Sequence, residues 1–454
     1  MKVAKFGGSS LASAEQIKKV GEIIKSDPKR KFVIVSAPGK QNKEDRKMTD
    51  LLIDLANTSF ANQPYEELLQ TIIIRFHKII TDLGLNRQLL DDIHHSILHN
   101  LKREQSAADK MDLIKSIGED SSAKIVSDYL VSLGLEAYYV NPKEAGILVS
   151  DEPGNAQILP ESFEKIKTLR ERSGILVIPG FFGYTKAGKL VTFSRGGSDI
   201  TGSIIAAGIH AELYENFTDV DSVYSVNPTI VENPKEIKVL TYKEMRELSY
   251  AGFTVFHDEA LIPAFKRGIP VAIKNTNNPY LQGTFVVSEK KEKSRAVVGI
   301  ASDTGFSTLY VGKYLMNREI GFGRRLLQIL EDEQISFEHA PSGIDDISVI
   351  IRERQFTPEK EVKVLERIKE ELHPDSLSLQ HGLALIMIVG EGIMETIGIA
   401  EKATTALAHA NVNIKMINQG SSYVSMMFGI DAKDLNKGVN SLYKVFFDDD
   451  YEYE

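Results

Sequence analysis

Val3-Ala4-Lys5-Phe6-Gly7-Gly8-Ser9-Ser10 reads as an apolar strand that carries a lysine near its end and then turns through paired glycines. Glycines at such a turn let backbone N–H groups approach phosphate oxygens closely, and a helix start beyond them adds a favourable dipole. A lysine at the strand end reaches the same phosphates as a point charge. The stretch is not a Walker A loop, because its lysine precedes the glycines. Taken alone it also reads as a plain strand-to-helix turn.

Working outward, Ser13 with Gln16 three residues later forms a capping-box pattern, and Ile17, Val20 and Ile24 fall on one helical face. Strand candidates follow at Phe32–Ser36, Ala137–Val140, Ile175–Ile178, Leu213–Asn216 and Val271–Lys274, most of them short apolar runs of the kind buried on both faces of a parallel sheet. Residues 65–133 read as largely helical. Up to about Ser288 the alternation predicts an α/β sheet sandwiched by helices.

Two further clusters carry chemistry. Ser194-Arg195-Gly196-Gly197-Ser198-Asp199-Ile200-Thr201-Gly202-Ser203 again opens a helix through glycines, with an arginine before them and an aspartate just inside. Arginine clamps carboxylates and phosphates bidentately; the aspartate is otherwise a first-turn acid favoured by the helix dipole. Phe217-Thr218-Asp219-Val220-Asp221-Ser222-Val223-Tyr224-Ser225-Val226-Asn227-Pro228 follows a strand, where open α/β sheets gather ligands. Its bland alternative is an Asx-type turn with a packed tyrosine.

Beyond the sheet the sequence repeats itself. Gly321 and Gly398, Ile335 and Val412, and Ser348 and Ser425 share a spacing of 77 residues. Each copy predicts strand, helix, strand, strand, helix: Ser307–Val311, Gly321–Asp332, Ile335–Glu338, Ile347–Ile351 and Thr357–Leu372, then Leu383–Val389, Gly398–His409, Val412–Lys415, Tyr423–Ile430 and Lys433–Phe446. Two copies make a pair of small modules, not a solenoid.

Composition narrows the class. The 454 residues predict two or three domains, and with no cysteine there is no disulfide framework, thiolate metal site or cysteine nucleophile. A formal charge of −9 argues against a nucleic-acid-coating surface. The basic run at 290–295 reads as a solvated linker and the acidic end at 448–454 as a frayed tail. No apolar run spans a membrane and no leader pattern opens the chain, so a cytoplasmic location is expected. His94, His95 and His99 lack partners at metal-ligand spacing, Met426-Met427-Phe428 reads as strand core, and packing accounts for Phe181-Phe182.

The three clusters, in this order and with the tandem tail, resemble the aspartokinases of the amino-acid kinase superfamily. Phe32-Val33-Ile34-Val35-Ser36-Ala37, Ser116-Ile117-Gly118-Glu119 and Ile269-Pro270-Val271-Ala272-Ile273-Lys274-Asn275-Thr276-Asn277-Asn278-Pro279 support the resemblance. It implies a catalytic domain over 1–288, a linker with a first associated strand over 289–304, and two ferredoxin-like ACT modules over 305–380 and 381–454. It implies phosphorylation of L-aspartate on its side-chain carboxylate by ATP with Mg²⁺, the first step toward lysine, threonine and methionine. Lys5 and Asp199 would be catalytic. Ser36, Thr49, Glu119, Arg195 and Ser198 would bind aspartate, with Glu119 on its ammonium and Arg195 on a carboxylate. Gly7, Gly8, Ser9, Thr218, Asp219 and Tyr224 would join Lys5 around ATP. No dedicated protein metal ligands are expected.

In the tail, Met316, Gly321, Phe322 and Gly323, with Phe337, Glu338 and Ser342 from a neighbouring module, would hold lysine, threonine or both as effector. A homo-oligomer through the ACT modules is implied. Two departures from the family pattern stand out: Thr229 follows Pro228 where many members have arginine, and Thr254 replaces a lysine. The alternatives are another acyl-phosphate-forming kinase, acting on glutamate, or a non-catalytic amino-acid-sensing regulator.

Overall fold

The computed structural model describes residues 1–448 except Arg195, 254–258, 291–294 and 420–423. The predicted places of Arg195, of Thr254, of Tyr423 and of most of the basic run and acidic tail therefore lie outside the described residues. Two compact units form. One holds Met1–Val223, Glu236–Arg246 and the described part of Thr254–Glu292; the other holds Tyr224–Lys235, Glu247–Phe253 and the described part of Lys293–Glu454.

The first unit is built on an eight-stranded sheet in the order Val239–Thr241, Thr284–Val287, Val271–Asn275, Leu213–Thr218, Lys2–Phe6, Arg30–Val35, Ile175–Pro179, Ala137–Tyr139. All pairs run parallel except Val271–Asn275 with Thr284–Val287. The six predicted strands are all there, and the opening strand lies between Leu213–Thr218 and Arg30–Val35. Val3, Ala4 and Phe6 on it and Phe32 through Val35 beside it are fully covered, so this is the buried centre of the sheet.

Helices Ala14–Lys25, Met48–Phe60, Glu66–Asp82, Gln88–Lys102 and Ala107–Ser132 share one core with Ala4, Phe6, Val33, Val35 and Phe217. Ser13 caps the first of them by accepting from the Gln16 N–H at 3.4 Å. One sequence expectation changes here. The glycine turn does not enter that helix directly; it winds through a short 3₁₀ turn, Gly8–Leu11, first.

In the second unit the repeat becomes one continuous antiparallel sheet, ordered Asp346–Arg352, Gly299–Gly312, Ser376–Val389, Ser425–Asp431, Ile414–Asn418. The two long strands pair Gly299 with Val389 and Gly312 with Ser376, so the copies are joined edge to edge through equivalent strands. Helices Phe322–Asp332 and Ile399–His409 occupy equivalent places, each entered through a glycine with φ near +82° or +88°. The strand expected at Ile335–Glu338 is not formed; only isolated bridges from His339 to Ile350 and Ser342 to Ile347 occur there. Gln334 before it is left-handed at φ 55°, but so is the equivalent Asn411 at φ 54°, which precedes a strand that does form at Ile414–Asn418. Among the described residues no helix is long and apolar enough to cross a membrane.

Candidate active site

Sheet register carries Lys5 and Asn216 to neighbouring positions, since Lys5 pairs with Asn216 across the two central strands. Both side chains meet Asp199 on the Gly197–Gly208 helix. Lys5 Nζ stands 2.6 Å from Asp199 Oδ1, and Asn216 Nδ2 donates to the same oxygen at 2.5 Å. Tyr214 completes the support: its hydroxyl donates to the Asp199 carbonyl at 3.2 Å and lies 3.3 Å from the Asn216 amide. Burial, with Asp199 close by, drives the Tyr214 phenol well above its usual range, so it stays a neutral donor.

The glycines are required by close approach. A Cβ on Gly7 would lie 3.5 Å from Lys5 Nζ, which places the turn against the ammonium. Gly39 donates its N–H to the Gly8 carbonyl at 2.7 Å, and a Cβ on Gly39 would come within 2.4 Å of Gly8 backbone carbon. On the second cluster, Gly196 has φ 76° at the cap of its helix, a conformation that costs most residues 1–2 kcal/mol or so. The 195 side chain itself is outside the described residues.

Glu119 is the site's unusual group. It is 5 % exposed on the Ala107–Ser132 helix, receives the Ala37 N–H, and keeps Oε2 without a hydrogen-bond partner. Burial pushes its carboxyl up to about 8, opposed by the Ala37 N–H and the Lys115 ammonium. A buried carboxylate with an open lone pair is a site for a cation or a proton.

The remaining predicted residues lie outside this cluster. Ser36 donates its N–H to the Phe6 carbonyl at 3.1 Å, just past the end of the Arg30–Val35 strand. Thr49 stands in the first turn of the Met48–Phe60 helix. Ser198 is buried against Gly180, where a Cβ would lie 2.7 Å from its side chain. Thr218 donates to Asp219 at 3.2 Å, and its carbonyl accepts from Thr276 N–H at 2.9 Å. Ser9 follows Gly8 in the 3₁₀ turn. Tyr224 belongs to the second unit.

Among the effector candidates, Gly321 caps the helix that Phe322 and Gly323 begin, with Met316 and Phe322 buried and Phe337 half exposed. The 313–318 loop is tied to the 344–345 turn by Asn317 N–H to Ile344 O at 3.0 Å and Leu315 N–H to Asp345 at 2.7 Å. Ser342 lies two residues before that turn. Glu338 is already paired, accepting from Arg352 at 3.2 Å and from the Tyr250 hydroxyl. Glu319 pairs with Lys313 at 2.7 Å and with Arg325, and its carboxyl is held below the usual range by those hydrogen bonds, Lys313 first. Lys274, within the stretch that supports the resemblance, pairs with Glu215 at 3.4 Å.

Sequence reasoning missed Asn216, Gly39, and the trio Asp112, Lys115 and Thr192 beside Glu119. A polar residue inside an apolar strand was the available signal for Asn216. For Asp112 and Lys115 it was their spacing of seven and four before Glu119 on one helix face.

A mostly parallel sheet with a glycine turn set against a lysine–aspartate pair suits the handling of phosphate on a small molecule, and residues 1–275 match the amino acid kinase family. Residues 386–446 match the ACT domain. Aspartokinase 3 of Bacillus subtilis (strain 168) is 55 % identical over 448 residues, covering 98 % of this chain and 99 % of that protein. The chain belongs to the aspartokinases. The crystal structure of Clostridium acetobutylicum aspartate kinase, described as an allosteric enzyme, is 40 % identical with a TM-score of 0.86, covering 98 % of this chain and all of that one. The E. coli aspartokinase III structure with aspartate and ADP shares the fold at 23 % identity, with a TM-score of 0.80 over 99 % of this chain and 100 % of that one.

Proposed function

We propose that the chain transfers the γ-phosphoryl group of ATP to the side-chain carboxylate of L-aspartate, giving 4-phospho-L-aspartate. The observation that carries this reading is the Lys5–Asp199–Asn216 cluster, set against the Gly7-Gly8 turn and within the aspartokinase family. The nucleophile is ionised at neutral pH, so no strong base is needed. Catalysis is positioning together with neutralisation of phosphate charge.

Lys5 faces the phosphoryl oxygens while Asp199 fixes its ammonium. The N–H groups of Gly8 and Ser9 line the phosphate side, and Thr218 and Asp219 meet the nucleotide. On the acceptor side Glu119 receives the aspartate ammonium through its open Oε2, and Arg195 holds a carboxylate with Ser198, Ser36 and Thr49 nearby. No group of three His, Asp or Glu able to hold a metal occurs among the described residues. Mg²⁺ carried on ATP phosphates and water would need few protein ligands, and Asp199, paired with Lys5, is an acid that could face it there. When bound, the cation would supply further neutralisation of phosphate charge.

The second unit supplies feedback control by lysine, threonine or both, at the Gly321 helix start and the residues around Ser342. The Clostridium relative's description as allosteric supports this. Self-association through the ACT modules is supported by two fully exposed isoleucines, Ile320 and Ile397, at equivalent places of the repeat. A hydroxylamine trap tests the reading. With ATP, Mg²⁺ and aspartate it yields hydroxamate, suppressed by lysine or threonine. No hydroxamate from aspartate, or product from glutamate alone, would overturn it.

A further inference from the structure

Four residues before Glu119, Lys115 projects from the same helix and is almost enclosed. Its ammonium stands 2.9 Å from Asp112 Oδ1 and donates to Thr192 Oγ1 at 3.1 Å. Asp112, 2 % exposed, is saturated by this arrangement. Its carboxylate also accepts the Thr192 N–H at 2.8 Å, the Thr192 hydroxyl at 2.8 Å and the Gly154 N–H at 2.9 Å. The remaining side of the ammonium faces the Phe181 ring, 5.6 Å from its centroid.

Phe181 is held in a rare backbone state. Its φ of 78° lies in the left-handed region that a bulky residue adopts only when its surroundings impose it. Its N–H donates to Thr201 Oγ1 at 3.0 Å and its carbonyl accepts from Phe193 N–H at 2.8 Å. Its ring covers Gly197, where a Cβ would lie 2.6 Å from it. Lys115 therefore sits between two parts of the acceptor side, Glu119 on its own helix and the glycine-led helix start that carries Ser198 and Asp199.

Among the described residues, two other elements packed beside Glu119 bring no charged side chain to it. The turn after the Arg30–Val35 strand offers the Ala37 N–H, and the Met48–Phe60 helix presents Leu52 beside Gly118. Among the described residues Lys115 is the charged side chain that acts on Glu119.

We propose that the Asp112–Lys115 pair is a substrate-positioning unit, whose ammonium keeps a positive field on Glu119 and pins the Phe181 turn against the helix start at Gly197. The proposal rests on the reading that Glu119 receives the substrate ammonium. In the empty site a proton competes for Glu119, and aspartate must displace it. Lys115 favours the ionised form and so favours aspartate; Asp112 limits that field, so that the substrate ammonium is not itself repelled.

Aspartate KM is measured at pH values on either side of 8, the value to which Glu119 is raised. In the parent chain KM falls as pH rises through that region and then levels. Lys115→Met moves the transition to higher pH and raises KM at neutral pH by about threefold or more, with a smaller change in kcat. Lys115→Arg restores the profile, and Asp112→Asn moves the transition the opposite way. A brace without electrostatic effect lowers the melting temperature in both variants and moves neither transition; that result overturns the proposal. If Glu119→Gln keeps the parent KM and profile, the ammonium role of Glu119 falls instead, and the proposal with it.

Discussion

Lys5 and Asp199 illustrate how one contact divides its work. The pair is nearly enclosed, and Asp199 keeps the Asn216 amide when the lysine is removed. Lys5→Ala is therefore expected to fold, to bind effector as the parent does in calorimetry, and to lose about 10²-fold to 10³-fold in kcat. Glu119 gives a second test, through stability. Its folded value of about 8 stands above the ordinary 4.5, so the folded chain keeps a proton that the unfolded chain has released. This contribution is complete below pH 4.5 and is lost as pH rises through about 8. In a melting series over that range the ligand-free parent declines more steeply than Glu119→Gln, and aspartate reduces the difference. Lys5, Asp199 and Glu119 were legible in the sequence because each stands beside glycines in a short motif. Asn216 and Asp112 were not, because their partners are 17 and 80 residues away. A contact made only by sheet register or by helix-to-strand packing leaves no local spacing to read.

Among elements, the glycine turns are set by contact with other turns. The Gly8 turn lies on the Gly39 turn backbone to backbone, with no flexible side chain to yield. Gly39→Ala is expected to cost about 1–3 kcal/mol and to raise the KM for ATP, measured by urea unfolding and initial rates. The central strands were readable as short apolar runs because they are covered on both faces. The edge strand Val239–Thr241 and its neighbour Thr284–Val287 were not. They are three and four residues long, and exposed Val239 and half-covered Phe285 and Val287 break the apolar run. The unmet strand at Ile335–Glu338 shows the converse: two apolar residues in four gave a strand pattern, but Glu338 is drawn to Arg352 and Tyr250 rather than to a full ladder.

Over the whole chain, the constant spacing of the repeat revealed the duplication but not its closure into one sheet. That closure follows from pairing two 14-residue strands, Gly299–Gly312 and Ser376–Val389, far longer than the apolar runs read from sequence. Polar stretches such as Ser302-Asp303-Thr304 in one, and Gln380-His381-Gly382 in the other, hid their length. The fully exposed Ile320 and Ile397 precede equivalent helices. Replacing both with aspartate is expected to shift the chain toward monomer in sedimentation, because a desolvated charge opposes the apolar contact. An unchanged mass would remove these residues from the interface.

In the proposed reaction the side-chain carboxylate of aspartate attacks the γ-phosphorus of ATP at Lys5. Phosphorus NMR of a reaction with aspartate carrying ¹³C at that carboxyl tests it most directly. A new acyl phosphate resonance split by coupling to the labelled carbon is expected, and its loss in Lys5→Ala. No new resonance with the parent chain, or coupling only when the label is in the α-carboxyl, would contradict it.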